Sequence, residues 1–168
     1  MAMYFRMSNR FSKSTPQDFG LMQAEDGKLA IDPNDGTLWE RCSLYDFGWG
    51  KENGYFKCPL PNYDELLSVI LTSKDSDDIY GAAAIILDRY PEELLDSCEK
   101  IFSAGGLFQE VQTLDKVFNL NSGTNLCPIV GKNWNEIQRD ARRWQAIADA
   151  AKCAVSMYTK RAKPFWKN

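Results

Sequence analysis

The spacing of apolar residues divides the chain at about residue 61. Before that point Gly, Pro, Asn, Asp and aromatic residues are frequent, and the apolar positions follow no sustained helical period. Residues 28–31 and 37–42 are short extended candidates on either side of residues 32–36 (DPNDG), a sequence typical of a tight turn. The pattern predicts a small β-hairpin within an otherwise irregular N-terminal part.

After residue 61 the apolar positions recur at the alternating steps of three and four that are typical of amphipathic helices. Asn62 and Glu65 form a capping signature that opens a helix predicted over 63–73. A second stripe covers 79–87, a third begins at Pro91, and a fourth covers 107–118. Because the connections are short, we expect consecutive antiparallel helical hairpins.

The longest stripe follows a second capping signature, Asn133 with Glu136. It runs for about six turns, and its apolar positions are Trp134, Ile137, Ala141, Trp144, Ala148, Ala151, Val155 and Tyr158. We expect one long helix laid across the others, with both tryptophans in its buried seam. Self-association of two chains through residues 134–158 is the alternative.

These patterns predict a mainly α fold with a long C-terminal helix and an N-terminal part that is irregular or holds a small β-hairpin. The segment DDIYGAAAIILDRYPEELLDSCEKIFSAG is similar to one unit of a HEAT-like helical array, although no second copy follows at a fixed period. At 168 residues the chain fits one domain. We expect residues 1–61 to form its aromatic and glycine-rich part and residues 62–168 its helical part.

The composition bears on the cellular location of the protein and on the catalytic and metal-binding chemistry available to it. The hydrophobic fraction of 44% is that of a folded globular protein, and no apolar run approaches the ~20 residues of a membrane span. The first residues, MAMYFRMSNRFSK, lack the apolar region of a secretory signal, so we expect a cytoplasmic location and no membrane contact. The chain has no histidine, and its five cysteines are widely spaced, which disfavours catalysis, a metal site and a cofactor.

The stretch DFGWGKENG at residues 46–54 is the segment that most resembles a functional motif. It lacks the order of a phosphate-binding loop, and no kinase motifs accompany its DFG triplet. Asn53-Gly54 is a strong turn dipeptide, so we interpret the stretch as a turn that positions Trp49 and Tyr55. Packing of these two side chains onto the helical part is favoured over contact with a partner, which is the alternative. An enzyme or nucleotide-binding protein that uses this loop together with carboxylates remains an alternative.

Charge is distributed unevenly along the chain. Residues 61–100 carry three basic and ten acidic residues, a net charge of −7, whereas residues 133–168 carry eight basic and three acidic residues, a net charge of +5. Acids at helix starts stabilise helices, but neighbouring acids also repel one another. An acidic face for a basic partner is therefore one interpretation, and a solvated face is the other. The overall pI near 5 makes nucleic acid an unlikely partner.

Small size, acidity, the absence of histidine and the aromatic and helical layout together resemble the immunity proteins that neutralise bacterial polymorphic or contact-delivered toxins. This resemblance implies a monomer or weak homodimer that inhibits a basic toxin domain by occlusion and has no catalytic residues. The acidic residues that would face the toxin are Asp75, Asp77, Asp78, Glu92, Glu93 and Asp96. Trp49 and Tyr55 would be its apolar anchors.

Overall fold

The computed structural model describes residues 4–7, 15–25, 27–46, 51–104 and 108–161 of the chain. It divides into two compact units, Met1–Ile86 and Leu87–Asn168. This border differs from the subdivision expected near residue 61, because the first helix and most of the second belong to the same unit as the N-terminal strands.

The first unit contains a five-stranded antiparallel sheet. Its strands are β1 (Phe5–Met7), β2 (Met22–Gln23), β3 (Leu29–Ile31), β4 (Leu38–Asp46) and β5 (Lys51–Lys57). They lie in the order β1-β5-β4-β3-β2. The prediction of a mainly α fold is therefore wrong, and the fold is mixed, with helices in the majority. Strands as short as β1 and β2 are too brief to show a period of two in the sequence.

Of the two hairpins in this sheet, one agrees with its prediction and the other differs from it. The predicted hairpin is confirmed, because β3 pairs with β4 and the Gly36 N–H donates to the Asp32 carbonyl in the intervening turn at 2.9 Å. The longer hairpin pairs β4 with β5, from Trp39 opposite Lys57 to Asp46 opposite Lys51. The prediction of a turn at Asn53-Gly54 is wrong, since both residues lie inside β5.

Apolar residues cover both faces of the sheet. Neighbouring residues of a strand point to opposite faces, and both Tyr55 and Phe56 on β5 are buried. On one face Tyr55 joins a buried cluster with Leu21, Ala30 and Trp39, and Phe19 meets the Tyr55 ring edge-on at a centroid separation of 5.2 Å. On the other face, Phe5 lies opposite Phe56 and contacts helix α2 at Gly81.

Two helices complete the first unit, α1 (Tyr63–Thr72) and α2 (Ser76–Arg89). The last three residues of α2, 87–89, belong to the second unit. The predicted start of α1 is confirmed with its cap. The Asn62 side chain accepts from the Glu65 N–H at 3.0 Å, and the Glu65 carboxylate accepts from the Asn62 N–H at 2.9 Å.

The second unit consists of α3 (Pro91–Ser103), α4 (Phe108–Phe118) and α5 (Trp134–Arg161). Within it α5 packs against α3 and α4, and its buried residues are Asp140, Trp144, Ile147, Ala148 and Ala151. The expected burial of Trp144 is confirmed. Consecutive hairpins in a HEAT-like array are not observed, because the five helices are divided between two units and two of them belong with the sheet.

Candidate functional site

The acidic residues at the start of α2 are engaged by the edge strand of the sheet. Asp78 is only 2% exposed and accepts hydrogen bonds from the backbone N–H groups of Tyr4 (2.7 Å) and Phe5 (3.0 Å). Asp77 accepts from the N–H of Met7 at 3.1 Å. These N–H groups belong to β1 and the residue before it, so the two carboxylates satisfy backbone donors on the outer side of the strand. Asp78 therefore cannot belong to an exposed acidic face.

Asp75 has a local role at the same helix start. Its carboxylate accepts from the Asp77 N–H at 2.9 Å. Carboxylates at this position satisfy backbone donors that lack an intrahelical partner. The acidic excess in this part of the sequence is thus used for capping α2 and for holding β1.

The acidic residues of α3 are paired with cations of the second unit. Glu92 binds the Lys132 ammonium group at 2.7 Å, and Asp96 binds the Arg143 guanidinium group at 2.6 Å. Arg143 also makes two hydrogen bonds with Glu99, at 2.8 and 2.6 Å. Much of the charge separation seen along the sequence is therefore neutralised where α3 meets α5 and the segment before it.

These pairings shift the protonation of the groups involved. Hydrogen bonds from Arg143 lower the pKa of Glu99, and the same bonds raise the pKa of Arg143. Burial acts to raise the pKa of Asp140. The hydrogen bond from Lys132 at 2.8 Å, the charge of Lys132 and the contact with Arg139 together outweigh burial, so the pKa of Asp140 is lowered. Glu99 and Asp140 are therefore ionised at neutral pH and hold their cations in place.

The residues of the predicted acidic face are divided between the two units, and one of them, Asp78, is buried. Asp75, Asp77 and Asp78 belong to the first unit, whereas Glu92, Glu93 and Asp96 belong to the second. Glu92, Glu93 and Asp96 are exposed on α3. A contact of these three with a basic partner stays a prediction.

The predicted apolar anchors are not exposed in the described part of the chain. Tyr55 is 3% exposed because it fills the core between the sheet and residues 19–21, so its predicted role in partner contact is wrong. Burial also raises the pKa of its hydroxyl. Trp49 lies outside the described residues.

Arg6 is a partly buried cation whose side chain lies against the core of the first unit. Its guanidinium group lies 4.5 Å from the centroid of the Trp39 ring, donates to the Phe19 carbonyl at 2.9 Å and pairs with the carboxylate of Asp32. A backbone hydrogen bond from Asn34 is the largest cause of a lowered pKa at Asp32. Because Arg6 contacts the Phe19 carbonyl and the Asp32 carboxylate, we interpret the cluster as a link between β1, residues 16–19 and the β3–β4 turn. The buried Nε1 of Trp39 has no hydrogen-bond partner among the described residues.

The sequence interpretation missed an exposed apolar cluster at the start of α5. Three large apolar side chains lie within six consecutive residues: Ile129 is 61% exposed, Val130 is 90% exposed and Trp134 is 71% exposed. The prediction that Trp134 lies in the buried seam is wrong. The signal available in the sequence was the aliphatic pair Ile129-Val130 within a segment that has no helical period. We call Ile129, Val130 and Trp134 the apolar cluster.

A groove begins at Trp134 and follows α5. It has a volume of ≈ 420 Å³, and its lining residues are Trp134, Asn135, Gln138, Arg139, Arg142 and Arg143. None of the lining residues is acidic, and three are arginines. We call it the arginine groove.

Two buried cysteines of the described residues are poorly suited to act as nucleophiles. Burial raises the pKa of Cys98 to about 12 and also raises the pKa of Cys127, so both thiols are protonated at neutral pH and are poor nucleophiles. Within the described ranges, no three or more carboxylate or cysteine side chains are grouped as metal ligands. None of the described helices has both the length and the apolar character needed to cross a bilayer.

Comparison with known proteins found no similarity: no protein-family model, no curated protein and no solved structure matches this chain. The apolar cluster and the arginine groove are therefore interpreted from their own chemistry.

Proposed function

We propose that this chain is a protein-binding inhibitor of the immunity type, which occludes the working surface of a toxin in the cytoplasm of the cell that makes both. The exposed apolar cluster carries the proposal. Large apolar side chains that lie together on a surface mark sites of macromolecular contact, whereas single exposed ones are ordinary. Of the seven large apolar side chains exposed in the described residues, three are these neighbours.

Trp134 has the properties of a binding hot spot. Tryptophan is enriched among the few interface residues that contribute most of the binding free energy. Its first helical turn is held by the cap in which the Asn133 side chain accepts from the Glu136 N–H at 3.1 Å. The Glu136 carboxylate also accepts from the Asn133 N–H at 2.8 Å. A fixed backbone limits the entropy lost when the ring is covered by a partner.

The internal pairing of charges favours binding over catalysis. Glu92, Asp96, Glu99 and Asp140 hold cations of their own unit, and Cys98 and Cys127 are protonated. Groups that are engaged in this way stabilise the fold and are not available for proton transfer. The apolar cluster and the arginine groove remain as surfaces open to a partner.

The proposal is tested with the product of the gene adjacent to the one that encodes this chain, in which we expect a toxin domain. Both proteins are expressed in a host cell from separate promoters, and growth is measured with and without the chain. We expect growth to be restored by the wild-type chain and a one-to-one complex to be recovered by size-exclusion chromatography.

Two alanine variants make this test specific. Trp134→Ala removes the ring of the apolar cluster, and Tyr80→Ala removes an aromatic ring of similar exposure (67%) on α2. We expect protection to be weakened by Trp134→Ala and unchanged by Tyr80→Ala. Growth arrest in the presence of the folded wild-type chain, with no complex formed, would refute the proposed function.

A further inference from the structure

We propose that the arginine groove and the apolar cluster together bind an acidic segment of the partner protein, in which carboxylates lie close to an apolar side chain. This inference deepens the proposed function and rests on it. It predicts that the partner's contact segment is acidic, whereas the acidic residues of the sequence led us to expect a basic partner.

The charge available for binding is on Arg139 and Arg142. Arg143 is 29% exposed and is already held by Asp96 and Glu99. Arg139, in contrast, is 64% exposed, and its contact with Asp140 is long, at 3.4 Å. The Asp140 carboxylate is itself bound to Lys132 at 2.8 Å.

Arg142 is the second available cation. It is exposed, and it makes no ion pair or side-chain hydrogen bond within the part of the chain that the structure describes. Arg139 and Arg142 are three residues apart on one helix, so their side chains are neighbours on its surface. Two adjacent guanidinium groups in a groove without acidic lining residues are a complementary surface for carboxylates.

The dimensions of the surface fit a short extended peptide. Trp134 and Arg142 are eight residues apart on α5, which corresponds to about 12 Å along the helix axis. An extended chain spans this distance with about four residues. One apolar side chain can therefore lie against Trp134 and Val130 while carboxylates of the same segment reach Arg139 and Arg142.

An acidic protein segment fits this surface better than a nucleic acid does. The chain has a net charge of −3, which opposes the approach of a long polyphosphate backbone more strongly than that of a short segment with a few carboxylates. Single-stranded nucleic acids also stack on successive aromatic rings. Here the exposed apolar residues that precede Trp134 by five and four positions, Ile129 and Val130, are aliphatic and match apolar peptide side chains.

The ligand class is tested by selecting a phage-displayed random peptide library on the full chain. We expect the recovered peptides to be enriched in Asp and Glu next to apolar residues. Affinities of labelled recovered peptides are then measured by fluorescence anisotropy. We expect the double reversal R139E/R142E to lower the affinity for these peptides by about tenfold or more. We also expect added salt to weaken peptide binding to the wild-type chain.

A matched control separates local charge from net charge. K116E/K152E reverses two exposed lysines of the second unit that do not line the groove, and we expect it to retain the wild-type affinity within about twofold. Peptides without acidic enrichment, or equal affinity for both double variants, would overturn the proposal. Tighter binding of single-stranded oligothymidylate to the groove, lost in R139E/R142E, would assign it to nucleic acid and also overturn the proposal.

The toxin complex distinguishes failure of this inference from failure of the proposed function. If R139E/R142E protects cells and binds the toxin as the wild-type chain does, the groove is not the contact surface, although the chain is still an inhibitor. If the wild-type chain gives neither protection nor a complex, the proposed function fails, while the peptide result still tests the chemistry of the groove.

Discussion

Gly81 allows helix α2 to approach strand β1 closely, and Gly81→Ala tests how tightly the two elements are packed. A Cβ atom at position 81 would lie 2.2 Å from Cγ and 2.3 Å from Cδ1 of Phe5. Carbon atoms in contact are normally about 3.5–4.0 Å apart, so α2 or Phe5 would have to move by more than about 1 Å.

The surroundings leave little room for that movement. Phe5 is fully buried, and β1 is paired with β5 on one side. On the other side the N–H groups of Phe5 and Met7 are bound to Asp78 and Asp77 at the start of the same helix. Separating α2 from β1 would therefore lengthen these hydrogen bonds as well as disturb the core.

Two opposing effects determine how much Gly81→Ala changes the free energy of unfolding. Alanine is favoured over glycine within a helix by about 1 kcal/mol, and overpacking of a core costs typically about 1–3 kcal/mol. We expect the overpacking to dominate and Gly81→Ala to lower the free energy of unfolding by up to about 2 kcal/mol. The measurement is urea-induced unfolding followed by far-UV circular dichroism.

A double-mutant cycle identifies the cause of the loss. Phe5→Leu removes most of the ring, so we expect Gly81→Ala to cost at least about 0.5 kcal/mol less in that background. A stabilisation by Gly81→Ala in the wild-type background would show that helix propensity dominates, and it would refute the close packing of α2 on β1.

The engaged carboxylates give two further predictions. Asp78→Ala leaves the N–H groups of Tyr4 and Phe5 without their acceptor, so we expect the free energy of unfolding in urea to fall by about 2–4 kcal/mol. As the control, Asp88→Ala removes a carboxylate that is 75% exposed and should change stability by less than about 0.5 kcal/mol. Equal effects of the two variants would contradict the role of Asp78 at the strand edge. The lowered pKa of Glu99 contributes stability that is fully present above its ordinary value of 4.5 and is lost as pH falls through the lower folded value. The stability difference between the wild-type chain and Glu99→Gln should accordingly be largest at neutral pH and vanish in acid, and a difference independent of pH would refute the pairing with Arg143.

The sequence predicted those parts of the fold that depend on neighbouring residues. The caps at Asn62 and Asn133, the proline at the start of α3 and the turn at 32–36 are local arrangements, and the structure confirms all of them. The five-stranded sheet was not predicted because its edge strand β1 pairs with β5 across about fifty residues of sequence. Such a pairing leaves no local periodic pattern.

The candidate surface could be predicted only in part. Periodicity placed Trp134 and Trp144 on one face of α5, but it cannot show how far along the helix the packing partners extend. Trp144 is covered, and Trp134, on the first turn, is not. Net charge along the sequence likewise could not show that Asp96 and Glu99 pair with Arg143 within one unit. Side-chain pairing between distant residues decides which charges stay available.

We propose that Trp134 and the arginines beside it form the contact surface for a protein partner. Isothermal titration of the toxin domain with the wild-type chain, Trp134→Ala and Tyr80→Ala tests it most directly. We expect Trp134→Ala to raise the dissociation constant by about 30-fold, which corresponds to about 2 kcal/mol, and Tyr80→Ala to leave it unchanged. Wild-type affinity for the Trp134→Ala variant would contradict the claim.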